Sequence, residues 1–184
     1  MKASLFATAA ALTALTSAQT LQAQQTCYAS ADLADTAVYM MPIVYDSAKS
    51  ACRTRLKSDG FFATGGSKFV EPFRAKQKKA WPGAYRVMKR QLAERNISGM
   101  NGKDIVNMLS SMPDSTVRPM ADSMMKQMIS GEIKPDQCVK IERMMQLLSP
   151  LPADNVAQLF PLVADVANMP NFQLCSATKK QTSK

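Results

Sequence analysis

The 184-residue chain contains no histidine. That removes the commonest acid–base group and transition-metal ligand at neutral pH, and with it any site built on Ser–His, Cys–His or His-ligated zinc. Two stretches fit the Ser-x-x-Lys pattern of serine acyl transfer, Ser123 to Lys126 and Ser176 to Lys179. Neither is accompanied by the Ser-Asp-Asn or Lys-Thr-Gly elements that complete such a site. The glycine-rich run Gly60 to Ser67 lacks the lysine and spacing of a phosphate loop. The fourteen Asp and Glu are dispersed and single out no pair for glycoside hydrolysis. The residue types therefore predict a protein that is not an enzyme and uses no cofactor or metal.

Basic residues are the more promising feature. The formal net charge is +9, unevenly spread. Residues 24–48 hold three acids and no base, whereas residues 49–95 hold thirteen Lys and Arg against Asp59, Glu71 and Glu94. At about 100° per residue, Lys76, Lys78, Lys79, Arg86, Lys89 and Arg90 project opposite Phe69, Phe73, Ala80 and Ala84. A solvated helix face is the plain reading, yet such an excess creates a field suited to an anionic partner. An anionic envelope surface or an acidic protein is the expected partner. Nucleic acid is not, since no recognition motif is present.

Methionine is the second feature. There are fourteen, and Met108, Met112, Met120, Met124 and Met128 recur at helical spacing. Thioethers can fill an irregular core, form an adaptable apolar groove for varied clients, or bind Cu(I). The core reading is the plain one. The groove gives the alternative function, a chaperone-like module, and Cu(I) binding ranks last because histidine does not assist.

The elements that must position these residues read as helices almost throughout. Leu33, Ala37, Met41, Val44, Ala48, Cys52 and Leu56 make one stripe, which Ser30 or Asp32 could cap and Asp59-Gly60 could stop. Pro42 is expected to kink or split it. Ser67 could cap a second stretch carrying Phe69, Phe73, Ala80, Ala84, Met88 and Leu92, divided near Trp81-Pro82-Gly83. Shorter helices are expected at about 102–112, 117–130, 136–148 and 153–167, with Gly131 as a stop and Pro135 in a first turn. Ile105 to Val117 and Met144 to Val156 align with matching apolar, Ser and Pro positions, as two helix–corner–helix units would. The fold class predicted is an all-α, single-domain bundle of αα-hairpins with a kinked first helix.

Residues 1–23 carry a short basic start, an apolar run and small residues before Ala23, the pattern of a secretory signal peptide. The expected organisation is a signal peptide at 1–23, one helical domain at 24–175 and a disordered basic tail at 176–184, in a periplasmic or secreted protein. No later segment is long and apolar enough to span a bilayer. Cys27, Cys52, Cys138 and Cys175 all lie beyond residue 23, and an even count in an exported chain reads as two disulfides. They are too far apart in sequence for a zinc or thioredoxin-like motif. If the last two helices run antiparallel, Cys175 returns to Cys138, and a reversal at Pro42 leaves Cys27 for Cys52. That pairing is favoured. The rival, Cys27–Cys175 with Cys52–Cys138, suits a gently kinked first helix.

Overall fold

The computed structural model describes residues 27–97, 99–169 and 171–175. The expected signal peptide at 1–23, the expected tail at 176–184 and the Ser176 to Lys179 stretch lie outside the described residues. Seven α-helices are present among those described. They are α1 (Ser30–Ala51), α2 (Phe61–Thr64), α3 (Gly66–Ala93), α4 (Gly102–Ser110), α5 (Asp114–Glu132), α6 (Cys138–Leu148) and α7 (Ala153–Val166). A 3₁₀ turn, Pro135–Gln137, leads into α6, with Pro135 at its start as expected. The sequence pattern gave no sign of one feature, a two-residue antiparallel ladder of β1 (Asn96–Ile97) and β2 (Met100–Asn101) between α3 and α4. Gly99 sits in its turn at φ +81°, a conformation that L side chains rarely adopt.

The two long helices depart from expectation in the same way. Pro42 does not split α1, and Trp81-Pro82-Gly83 does not divide α3; both run unbroken, α3 through Pro72 as well. A proline inside a helix removes one backbone hydrogen bond and crowds the preceding turn. Here tertiary packing outweighs that loss. Pro42 is almost wholly buried where α1 packs against α3, α5 and α7. Gly83 lets α3 approach α1 closely, because a Cβ there would collide with the Asp35 side chain. Neither helix has a side-chain N-cap: Ala29 precedes α1 and Gly65 precedes α3, in place of the expected Ser or Asp caps. Asp32 instead lies in the first turn of α1, where a carboxylate complements the helix dipole. Gly131 likewise fails to stop α5, which continues to Glu132.

Three apolar clusters make the core. Tyr39, Ile43, Trp81, Leu109, Val117 and Ala121 join α1, α3, α4 and α5. Tyr45, Phe62, Phe69, Phe73, Met145 and Val156 join α1, α2, α3, α6 and α7. Tyr28, Leu33, Val87 and Ala164 close the end at which α1 begins. The two aligned sequence stretches do form equivalent units. Each is a helix, a corner and a second helix, with Pro113 and Pro152 in the same place immediately before α5 and α7. The helices of a unit diverge at the corner: α4 packs on α3 and α5 on α1, while α6 meets α2 and α7 lies on α1.

This packing overturns the favoured disulfide pairing. The bonds are Cys27–Cys175 and Cys52–Cys138, not Cys27–Cys52 and Cys138–Cys175. An unbroken α1 of 22 residues is roughly 33 Å long at 1.5 Å per residue, so Cys27 and Cys52 lie beyond opposite ends. Because α7 follows α1 rather than α6, the chain after α7 returns to Tyr28, whose backbone bonds to Gln173 and Cys175. Cys175 therefore meets Cys27. Both bonds fit an oxidising compartment.

Candidate binding surfaces

Lys78, Lys79, Arg86, Lys89 and Arg90 lie outside the core face of α3 as expected, whereas Lys76, seven residues after Phe69, falls on the same side as that ring and is half-buried; most of the six are engaged within the molecule. Arg86 donates two hydrogen bonds to the Asp32 carboxylate of α1, at 3.0 and 2.6 Å. Lys76 pairs with Asp154 of α7 at 2.6 Å. Arg90 donates to the Cys27 carbonyl, lies 4.3 Å from the Tyr28 ring centroid and reaches Glu94 at 3.6 Å. Lys89 sits 4.5 Å over the Tyr85 ring. Only Lys78 and Lys79 of the six are exposed with no ion pair or ring contact among the described residues. Arg74, which was not a candidate, makes a two-pronged bond to Asp46. These bonds raise the Arg74 and Arg86 guanidiniums above their ordinary range, the hydrogen bond to the carboxylate being the main cause. The acid-rich α1 and the base-rich α3 are thus complementary partners. The sequence pointed to this in the three acids of residues 24–48, whose charge the face-by-face reading left unmatched.

The methionines behave in the opposite way. Met112 packs against the first core cluster, together with Met125. Met108, Met120, Met124 and Met128 do not: Met124 is 57% and Met128 65% exposed. Met120, Met124 and Met128 lie four residues apart and form one ridge along α5. The exposed residues beside them are Thr116, Ser123, Gln127 and Gly131. Together these seven cover an arc of about 140° with no charge on it. The charged residues of α5, Asp114, Arg118, Asp122, Lys126 and Glu132, all project elsewhere on the wheel. The hollows lined by α6 and by the end of α7 do not include the ridge. It is a convex, uncharged, thioether-rich face.

A third surface escaped the sequence reading. The outer side of α6 exposes Val139, Met144 and Leu147, interleaved with Lys140 and Arg143. Its inner side is fixed to the rest of the fold by the Cys52–Cys138 bond, by buried Met145 and by the Phe62 backbone N–H, which donates to Glu142 at 3.1 Å. The signal available was the apolar spacing of residues 139, 144 and 147, hidden because every side of α6 carries apolar residues.

Ser123 and Lys126 lie on the exposed side of α5, outside the hollows lined by α6 and by the end of α7. Among the described residues, no three His, Cys, Asp or Glu side chains gather as a metal ion would require. No described helix is long and apolar enough to cross a membrane. Compared with known proteins, the chain matches no family model, no curated protein and no solved structure.

Proposed function

We propose that this is an exported, non-catalytic binding protein that holds apolar, uncharged polypeptide segments on the methionine ridge of α5. The signal-peptide pattern and the disulfides support a periplasmic or secreted setting. The observation that carries the reading is the uncharged exposed arc of Met120, Met124 and Met128 in a chain of net charge +9. Unbranched thioethers adapt their shape to different surfaces, which suits varied extended clients. The absence of charge along the arc supports a client recognised by apolar contact. The reading that places an anionic partner on α3 is the weaker one, since four of its six bases are already engaged.

Burying an exposed Met side chain contributes up to about 1.5–3 kcal/mol, so each lost contact is worth roughly tenfold in affinity or more. The test is fluorescence anisotropy with a labelled, permanently unfolded, uncharged apolar peptide. Replacing Met120, Met124 and Met128 together by Lys should weaken binding by at least tenfold while the circular dichroism spectrum is unchanged. Peptide binding of equal strength in that variant refutes the reading.

A further inference from the structure

The end of the molecule around the Cys52–Cys138 bond combines exposed apolar side chains with cations that the fold does not use. Val139 is 67% and Leu147 62% exposed, and Met144 lies beside them on the outer side of α6. The shallow hollow on this side is lined by Val139, Lys140, Arg143, Met144, Leu147 and Leu148, all from α6 itself. The segment after α1 adds Arg53, Arg55 and Lys57, all exposed. It is tied to the start of α6 by the disulfide, with Cα atoms 5.5 Å apart. A Cβ on Gly60 would meet the Glu142 carboxylate, so the segment also packs against α6 at its far end. None of Arg53, Arg55, Lys57, Lys140 and Arg143 makes an ion pair among the described residues. The carboxylates nearby are Asp59, Asp136 and Glu142, the last turned inward to the Phe62 N–H.

We infer that this end is a peripheral contact for an anionic lipid bilayer. Val139, Met144 and Leu147 enter the headgroup boundary, Lys140 and Arg143 between them meet lipid phosphates, and Arg53, Arg55 and Lys57 on the adjoining segment add to the attracting field. A helix face that mixes exposed apolar side chains with Lys and Arg suits such an interface, the apolar groups entering the boundary while the long basic side chains reach the headgroups, and its attraction depends on anionic lipid. A bilayer suits this surface better than the two other possible occupants. A peptide needs a second wall to clasp it, and every residue of the hollow comes from one helix. A second copy of the chain would bring the same five cations against these five. The inference does not rest on the methionine ridge of α5, which lies on another helix.

The test is sedimentation of the mature, oxidised protein with sucrose-loaded vesicles, one set rich in phosphatidylglycerol and one of phosphatidylcholine alone. Binding to the anionic vesicles should exceed binding to the neutral ones by at least tenfold. It should fall at least tenfold both in Val139→Ser/Met144→Ser/Leu147→Ser and in Arg53→Glu/Lys57→Glu/Arg143→Glu. All six positions are exposed, and far-ultraviolet circular dichroism checks that each variant is folded. Met120→Ser/Met124→Ser/Met128→Ser, which adds no charge, should bind vesicles as the unaltered protein does, so failure of the client reading leaves this result standing. Equal binding to both vesicle types overturns the inference. So does binding that survives both α6-end variants, or binding lost instead on reversing Lys78 and Lys79. A dimer in solution that Leu147→Glu dissociates would assign the surface to a second copy.

Discussion

Tyr39 illustrates how a single polar atom is accommodated in this core. Its ring is 1% exposed, packs against Trp81 with centroids 5.1 Å apart, and has the Arg118 guanidinium 5.4 Å above it. Its hydroxyl donates to the Asp122 carboxylate of α5, so one hydrogen bond joins α1 to α5. Burial, and then the bond to the Asp122 carboxylate, pushes the Tyr39 hydroxyl well above the ordinary tyrosine range. The folded protein therefore holds this proton more tightly than the unfolded chain. The associated stability is fully present below pH of about 10 and is lost as pH rises beyond the unfolded value. Tyr39→Phe should cost about 1–3 kcal/mol at neutral pH, because Asp122 loses its donor inside the packed helices. It should also reduce the loss of stability on going to alkaline pH, with Tyr28, itself raised by burial, retained in both proteins. Urea unfolding at pH 7 and at about pH 10.5 measures both effects. An alkaline loss as large in Tyr39→Phe as in the unaltered protein refutes the assignment.

Helices were legible in the sequence wherever an apolar stripe recurred, and their existence and approximate ends follow from periodicity and from Pro135, Pro113 and Pro152. Less legible was what a proline inside a stripe would do. Pro42 predicts a kink or split and Pro82 a division from local backbone geometry, but α1 and α3 bury enough surface against each other to keep both helices whole. That one misjudgement propagates. An unbroken α1 separates Cys27 from Cys52 and sends each to a partner remote in sequence. The candidate bases were legible as a face, but their pairing with Asp32 and Asp154 was not, because it depends on which helices lie side by side. The disulfides now carry an expectation of their own. Cys52–Cys138 closes a loop of 86 residues, and Cys52→Ser/Cys138→Ser should cost roughly 2–4 kcal/mol. Since α6 is otherwise held mainly by Met145 and the Glu142 bond, its amides should exchange with deuterium faster than those of α1 and α3 in this variant. Uniform acceleration across all helices would show that the bond does not anchor α6 in particular.

At the scale of the whole molecule, the net charge of +9 divides into two populations. Arg74, Arg86 and Lys76 are matched by carboxylates of α1 and α7, so they fasten helices together and project little field outward. The unmatched cations at the Cys52–Cys138 end retain theirs, and the α5 ridge has no charge at all. The two proposed surfaces should therefore respond to salt in opposite directions. Screening shortens the reach of exposed charges from about 10 Å at 0.1 M salt to about 3 Å at 1 M. Apolar contact is not weakened by it, and sulfate salts strengthen apolar burial. Raising sodium sulfate from about 0.03 to 0.3 M, roughly 0.1 to 1 M in ionic strength, should reduce sedimentation with phosphatidylglycerol vesicles at least tenfold. The same change should leave anisotropy of the apolar peptide unchanged or raise it. The contrast depends on both surfaces being used by one folded molecule, so it is measured on the same oxidised preparation. Peptide binding that falls in parallel with vesicle binding would mean that a single cationic surface serves both, and the methionine ridge would then have no part in recognition.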